Sequence, residues 1–187
     1  MTFISLRACV LGVALLLGGC TLVAPQYSGS LQNVEMLKSG GSYSAKVGHF
    51  DSSQESGNAN PISLRGNSLT SPYDGSYARY LEEALKQELS LAGKLAPDAS
   101  VEVSGVLQKN DINIPGLGDG TGDLQARFVV KKSGTVQFDR VKVIHDIWSS
   151  SFVGAVAIPR AQEQYPKLVQ RLLSDLYADP DFIKALQ

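Results

Sequence analysis

The cysteine at position 20 is the residue whose type and surroundings most directly suggest chemistry. It follows two small residues, Gly18 and Gly19, at the end of an apolar run from Ala8 to Leu17. Arg7 is the only charged residue that precedes it. Small residues next to a thiol allow an extended backbone to enter a narrow enzyme cleft. The thiol itself can form a thioether, so processing and modification at Cys20 are predicted.

The run Leu17-Gly18-Gly19-Cys20 resembles the lipobox of bacterial lipoproteins. The resemblance implies that residues 1–19 are a signal peptide and that Cys20 becomes the N-terminus, carrying diacylglycerol and palmitate. A transmembrane anchor is the alternative, but a helix needs roughly 20 apolar residues to span a bilayer, and this stretch is shorter. Thr21 is similar to the residue that follows the cysteine in lipoproteins exported to the outer membrane. The resemblance therefore implies an outer-membrane protein that faces the periplasm.

The charge of the chain is close to balanced, with 17 Lys and Arg against 18 Asp and Glu. Nucleic acid is therefore excluded as a partner, because its binding needs a basic excess. A polybasic patch for anionic lipid is absent from the sequence as well. Membrane lipid is thus expected as a partner only through acylated Cys20. The other cysteine, Cys9, lies in the signal peptide, so no intramolecular disulfide is expected.

The composition divides the chain into three parts. Residues 1–19 form the signal peptide. Residues 20–40 contain Ser, Gly, Gln and Pro and are predicted to be the lipidated N-terminus and a tether of modest order. Residues 41–187 are predicted to be a single periplasmic domain, because that length buries enough apolar surface to fold without disulfides.

Alternation of apolar and polar residues predicts four strands. The strands cover Ser42–Phe50, Ser100–Asn110, Asp123–Lys132 and Thr135–Phe152, and Ser133-Gly134 joins the last two as a hairpin turn. In the last strand the apolar parity switches near Asp139-Arg140. A β-bulge or a bend is expected there.

Apolar spacing at three and four residues predicts two helices. The first covers Tyr77–Ala92, with Glu88 interrupting its apolar stripe and Gly93 ending it. The second begins near Tyr165, with Pro166 in its first turn. The element order is strand, helix, three strands, helix. An α+β fold is predicted, with a mainly antiparallel sheet of about four strands and both helices on one face.

The titratable residues do not form a catalytic or metal-binding pattern. The two histidines, His49 and His145, lie apart, and neither has a second ligand at metal-binding spacing. His145 and Asp146 are neighbours on a strand and point to opposite faces. Glu82 and Glu83 are expected on a solvated helix face. The protein is therefore predicted not to be an enzyme and to need no cofactor and no metal.

The segment Pro115–Asp123 is rich in glycine and has two readings. A phosphate-binding loop would need a helix directly after the glycines, and a strand is predicted there. A loop between two strands is the first reading. The second is a contact loop for a partner, because exposed apolar clusters often mark interaction sites. Its residues are Ile112, Ile114, Leu117, Gly118, Asp119 and Gly120.

The lipobox, length and element order together resemble those of small outer-membrane lipoproteins. The lipopolysaccharide-assembly lipoprotein LptE and the YajG-type lipoproteins share the plan of strand, helix, three strands and helix. The resemblance implies a domain that supports a larger envelope protein, and Cys20 is the one functional residue that carries over.

Two functions are expected from these observations. The first is a non-enzymatic accessory or assembly subunit of an outer-membrane complex, with an envelope protein as its partner. The contact would be the loop described above or an exposed sheet edge. The alternative is a periplasmic module that binds a lipid or glycan ligand on the sheet face around Phe128 and Trp148.

Overall fold

Three long strands form the centre of the fold. The computed structural model describes residues 20–187; the predicted signal peptide lies outside the described residues. The strands are β1 (Thr21–Val23), β2 (Ala45–Ser52), β3 (Ile62–Leu64), β4 (Asn67–Thr70), β5 (Val101–Asn113), β6 (Gly120–Lys132) and β7 (Thr135–Trp148). The helices are α1 (Leu31–Ser39), α2 (Tyr77–Leu91), α3 (Gly154–Tyr177) and α4 (Pro180–Leu186).

The main sheet has four strands in the order β2-β5-β6-β7. β2 runs parallel to β5, and the other two pairs are antiparallel. Ala126, Phe128 and Val130 of β6 are buried on one face, while the residues between them lie on the other face, as the period of two requires. The predicted mainly antiparallel sheet of about four strands is confirmed.

Helices cover one face of this sheet. The predicted stripe of α2 is buried, including Tyr77, Leu81 and Leu85, and the Ser76 hydroxyl caps its start by accepting the Arg79 N–H. Gly93 follows with a φ of +70°, the left-handed conformation that glycine adopts at helix ends. The mixed α+β class is confirmed, but the chain has four helices in the described part rather than two.

Helix α3 begins eleven residues earlier than Tyr165 and contains both Pro159 and Pro166. A proline inside a helix costs about 3 kcal/mol. The buried side chains of α3 form one continuous stripe, which includes Ala157, Ala161 and Leu168. This packing keeps the segment helical where local propensity alone favours a break.

A second sheet, which the sequence pattern did not predict, contains β1, β4 and β3 in that order. β1 pairs in parallel with β4, and α1 follows with Val34 and Leu37 buried. Residues 21–39 are therefore part of the folded body. The prediction of a tether of modest order over residues 20–40 is wrong.

The parity switch in β7 coincides with a register shift of the kind that a β-bulge makes, as predicted, but two residues earlier than expected. The register shifts opposite Val130 and Lys131, so that Gln137 is the additional residue, and not at Asp139-Arg140. Beyond it Val141, Val143 and Ile147 are exposed on the face of the sheet that the helices do not cover. β7 ends at Trp148, four residues before the predicted Phe152. An apolar open face, rather than a bend, explains the sequence pattern.

Candidate functional site

Cys20 is exposed and lies directly at the start of the folded body. Its carbonyl oxygen accepts the N–H of Ser68 at 3.1 Å, and β1 begins at the next residue. A lipid on Cys20 would therefore hold the body at the membrane without an intervening linker.

Buried Glu88 holds the N-terminal segment against the body. Its carboxylate accepts the Tyr27 hydroxyl at 2.6 Å, the Ser30 N–H at 3.0 Å and the Asn33 amide at 3.1 Å. Burial raises the pKa of Glu88, and these hydrogen bonds oppose the rise. Glu88, which interrupts the apolar stripe of α2, thus binds residues 27–33 to the helix.

The predicted contact loop is shorter and less apolar than expected. The loop covers residues 114–119, between β5 and β6. Ile112 and Ile114, expected to be exposed, are buried in the core, and so is Gly120. Leu117 is 82 % exposed, and Gly118 and Asp119 beside it are exposed too. Leu117 is therefore the one apolar side chain that this loop offers to a partner.

The side chains of Trp148 and Leu168 explain two glycines of this segment. A Cβ on Gly120 would lie 2.5 Å from Trp148 Nε1, and one on Gly122 would lie 2.4 Å from Leu168 Cδ1. Trp148 thus packs over the start of β6. Phe128 is buried under the helices. The predicted ligand face around Phe128 and Trp148 is wrong, because neither ring lies open on it.

Arg65, which sequence analysis did not single out, joins three segments. It lies in the turn between β3 and β4, where Arg65 and Gly66 both have positive φ, as a type I′ turn requires. Its guanidinium donates to the carbonyls of Ile114 at 2.8 Å, Ser151 at 2.8 Å and Phe152 at 3.0 Å, and to that of Pro115. The loops 114–119 and 149–153 are thereby held side by side.

Exposed apolar side chains cluster on these two loops and on the first turn of α3. We call Leu117, Phe152, Val153 and Val156 the apolar rim. Phe152 is 76 % exposed, and both valines are exposed as well. Exposed apolar clusters of this kind mark contact with a partner or a membrane.

A second exposed apolar surface belongs to β7. This strand is last in the sheet order, so in the described part of the chain its outer edge pairs with no other strand over 14 residues. Val136, Val141, Val143 and Ile147 are exposed along it. An edge of this length presents unpaired backbone groups to which another strand can bind.

Both histidines lie beside carboxylates on exposed surfaces. His145 Nδ1 is 3.0 Å from Asp123, while Asp146 pairs with Arg171 on the opposite face. His49 is 3.5 Å from Glu82. The divergence predicted for His145 and Asp146 is confirmed, and these histidines lie on open strand surfaces rather than in a cleft.

The expectation that Glu82 lies on a solvated helix face is wrong. Its side chain is largely buried and accepts the Phe50 N–H at 3.2 Å and the Lys86 ammonium at 2.7 Å. Glu82 therefore joins α2 to β2. Residues 20–187 contain no group of three or more side chains placed to hold a metal ion.

Within the same residues, each helix is too short or too polar to cross a membrane. One surface depression of about 440 Å³ is lined by Phe138 and by charged residues that include Arg140 and Asp181. This depression is open, and it offers charged groups rather than an apolar cavity for an acyl chain.

The fold has relatives among solved structures, although no family model and no curated protein matches the sequence. Protein XCC0632 from Xanthomonas campestris, assigned to family DUF330, is 11% identical over 85% of this chain and 93% of its own, with a TM-score of 0.58. That likeness establishes a shared fold.

Two further structures are similar at lower scores. A lipoprotein candidate from Caulobacter crescentus is 9% identical over 80% of this chain and 93% of its own, with a TM-score of 0.46. A minor lipoprotein from Acinetobacter baumannii is 13% identical over 72% of this chain and 90% of its own, with a TM-score of 0.40. The resemblance to LptE- and YajG-type lipoproteins stays a prediction.

Proposed function

We propose that the protein is a bacterial envelope lipoprotein, anchored through Cys20 to the outer membrane on its periplasmic face. There it acts without catalysis, as an accessory or assembly subunit that binds an envelope protein. The observation that carries the proposal is the long edge of β7, which pairs with no other strand among residues 20–187, together with its exposed apolar residues.

The anchor is supported by the lipobox and by the exposure of Cys20 at the start of the body. Each buried methylene of an acyl chain contributes about 0.8 kcal/mol to membrane binding, so two or more chains give a stable anchor. Confinement to the membrane raises the effective concentration of the body for a partner in the same membrane. A weak contact surface is then sufficient for assembly.

The partner surface is assigned to β7 because of its edge and its side chains. Sheet edges in soluble proteins are usually protected by short length, proline or charge. β7 has 14 residues and no proline, and its charged side chains, such as Asp139 and Lys142, form ion pairs with neighbouring residues, while Val141, Val143 and Ile147 are exposed beside the edge. A strand of the partner can add to this edge through backbone hydrogen bonds, while its side chains contact the valines.

The absence of catalysis is part of the proposal. His145 with Asp123 and His49 with Glu82 have the residue types of an acid–base pair. General acid–base catalysis also needs a reacting group held beside the pair and shielded from water. Both pairs lie on open surface, and we expect purified protein to lack hydrolase activity.

Site-specific photo-crosslinking in living cells tests the partner surface. A photoreactive residue is placed at Val143, which is 58% exposed, and the matched control is at Leu91 on α2, which is 56% exposed. We expect one dominant envelope protein to crosslink from Val143 and not from Leu91. A photoreactive residue at Ile147 should crosslink to the same protein. The double variant Val141→Lys and Val143→Lys should abolish this crosslink, because a charged edge resists strand addition.

The anchor is tested separately with Cys20→Ala. Acyl groups on Cys20 are read from the intact mass of the membrane form, and the variant should be released from the membrane fraction. Equal crosslinking from Val143 and Leu91 would reject the β7 surface. Copurification of lipid or glycan, without any protein, would favour the ligand-binding alternative.

A further inference from the structure

We infer that the apolar rim is a membrane-contact surface, which lies in the lipid interface beside the acylated Cys20. The inference rests on the lipid anchor proposed above and adds a second, non-covalent contact with the same membrane. Its ligand is a phospholipid surface.

The rim residues are neighbours because of Arg65. A single guanidinium nitrogen, Nη2, donates to the carbonyls of both Pro115 and Ser151. Two acceptors of one nitrogen lie within about 6 Å of each other, given ordinary hydrogen-bond lengths. Leu117 and Phe152 follow these carbonyls by two residues and one residue. The backbone positions that carry the exposed side chains of Leu117 and Phe152 are therefore close together.

Cys20 lies at the same end of the body as the apolar rim. Its carbonyl binds the N–H of Ser68, which is only three residues after Arg65. The N-terminal segment also runs alongside α3 in the same direction, since Gln162 donates to the Val23 carbonyl and Gln170 to the Ser28 carbonyl. Cys20 precedes Val23, and the first turn of α3 precedes Gln162. Cys20 therefore lies toward the same end of the body as the first turn of α3.

The position of Cys20 favours lipid as the occupant of the rim. Because the backbone of Cys20 is bonded to β4, an acyl anchor leaves the body no linker with which to move away from the bilayer. Side chains in an interface lie about 5 to 10 Å deep in the headgroup region. Exposed Leu117 and Phe152 at the anchored end are placed to enter that layer, where their apolar surface leaves water.

The polar residues around the rim fit the same orientation. Arg65 lies between the two loops, and Arg160 donates to the Ser149 carbonyl at 2.9 Å. Their positive charge is compatible with phosphate headgroups at the edge of the patch. Asp119 is exposed on the loop beside Leu117 and would stay at headgroup level.

The experiment measures the depth of single labelled positions in vesicles. Lipidation blocks the thiol of Cys20, so one introduced cysteine can be labelled alone with an environment-sensitive fluorophore. The variants Leu117→Cys and Phe152→Cys report on the rim. Val136→Cys is the matched control, because Val136 is 50% exposed and lies at the other end of β7.

The labelled, membrane-purified proteins are reconstituted into vesicles of phosphatidylethanolamine and phosphatidylglycerol, with and without a lipid-bound quencher. We expect fluorescence at Leu117 and Phe152 to shift to shorter wavelength and to fall at least twofold with quencher. The label at Val136 should show neither effect.

Two outcomes separate this inference from the proposed anchor. Quenching at Phe152 no stronger than at Val136 would overturn the membrane contact, whatever the modification of Cys20. An intact mass that shows an unmodified Cys20 would reject the anchor, and quenching at Phe152→Cys in a Cys20→Ser protein without residues 1–19, where the introduced thiol is the only one, would still support the contact.

Discussion

The Trp148 indole lies directly over the Cα of Gly120, so that a Cβ on that glycine would be 2.5 Å from the indole Nε1. This contact joins the last residue of β7 to the first residue of β6. It closes the sheet at the end where Arg65 holds the two loops together.

We expect Gly120→Ala to destabilise the protein by about 1 to 3 kcal/mol, because the added methyl group must displace the indole. The chain has one tryptophan, so its fluorescence reports both the local change and unfolding in urea. Gly116→Ala is the control, since nothing lies within 4 Å of a Cβ at that position. Equal unfolding free energies for the two variants would contradict the packing described.

Glu88→Ala should destabilise the protein by about 3 kcal/mol, because Tyr27, Ser30 and Asn33 lose a buried acceptor. The loss should be local at first. Hydrogen exchange of residues 24–39 should accelerate more than exchange of β5 and β6. Uniform acceleration across the chain would show that this segment does not unfold independently.

The Glu88 carboxyl also predicts a dependence of stability on pH. Burial raises its pKa in the folded state, so the folded protein binds a proton more tightly than the unfolded chain does. The unfolding free energy of the wild type, relative to Glu88→Gln, should therefore fall as pH rises from the ordinary glutamate range through the raised pKa. Chemical unfolding at a series of pH values measures this difference, and a constant difference would contradict it.

Asp179 predicts the opposite dependence. Burial disfavours its charged form, but Lys142, the Asp181 N–H and Arg140 outweigh burial and hold the pKa of Asp179 below its usual value. Its contribution to stability is present above the ordinary aspartate range and is lost as pH falls through the lowered pKa. Asp179→Asn keeps a residue that caps α4 but removes the charge. The wild type should lose its advantage over this variant in acid.

Arg65→Ala should loosen both loops that Arg65 joins, at a cost of about 1 to 3 kcal/mol. Hydrogen exchange should increase within residues 114–119 and 149–153 and stay unchanged in α2. Arg127→Ala is the control, because Arg127 makes an exposed ion pair with Asp139, and such pairs contribute little to stability. Similar exchange in the two variants would reject the joining role of Arg65.

Elements with a regular apolar period were predictable from the sequence. The alternation of β6 and the stripe of α2 each follow one period throughout, so local pattern and tertiary packing agree. The positions of Ile112 and Ile114 were not predictable in this way. The register of β5 shifts at Gln108, so that residues 110, 112 and 114 face the core where odd positions faced it before.

The N-terminal segment was missed for a different physical reason. Its buried residues, such as Tyr27 and Leu37, are few and are separated by polar residues without a regular period. The segment is fixed by contacts that are distant in sequence, above all with Glu88. The one available signal was Glu88, a charged residue within the apolar stripe of α2. It indicated an unusual position on the helix but did not indicate which segment binds there. Arg65 had no such signal, because its partners are backbone carbonyls.

The hydrogen bond between Cys20 and Ser68 also limits how far the folded body can extend from the membrane. β7 has 14 residues, which at the usual rise extend about 45 Å from the anchored end to the hairpin at Ser133 and Gly134. With lipid on Cys20, that hairpin can lie up to about 45 Å from the bilayer. No flexible linker separates Cys20 from the body, so this distance cannot increase further. A partner in the opposite membrane must therefore bridge the remaining gap itself. Adding two residues to each strand of the hairpin would move its turn outward by about 7 Å.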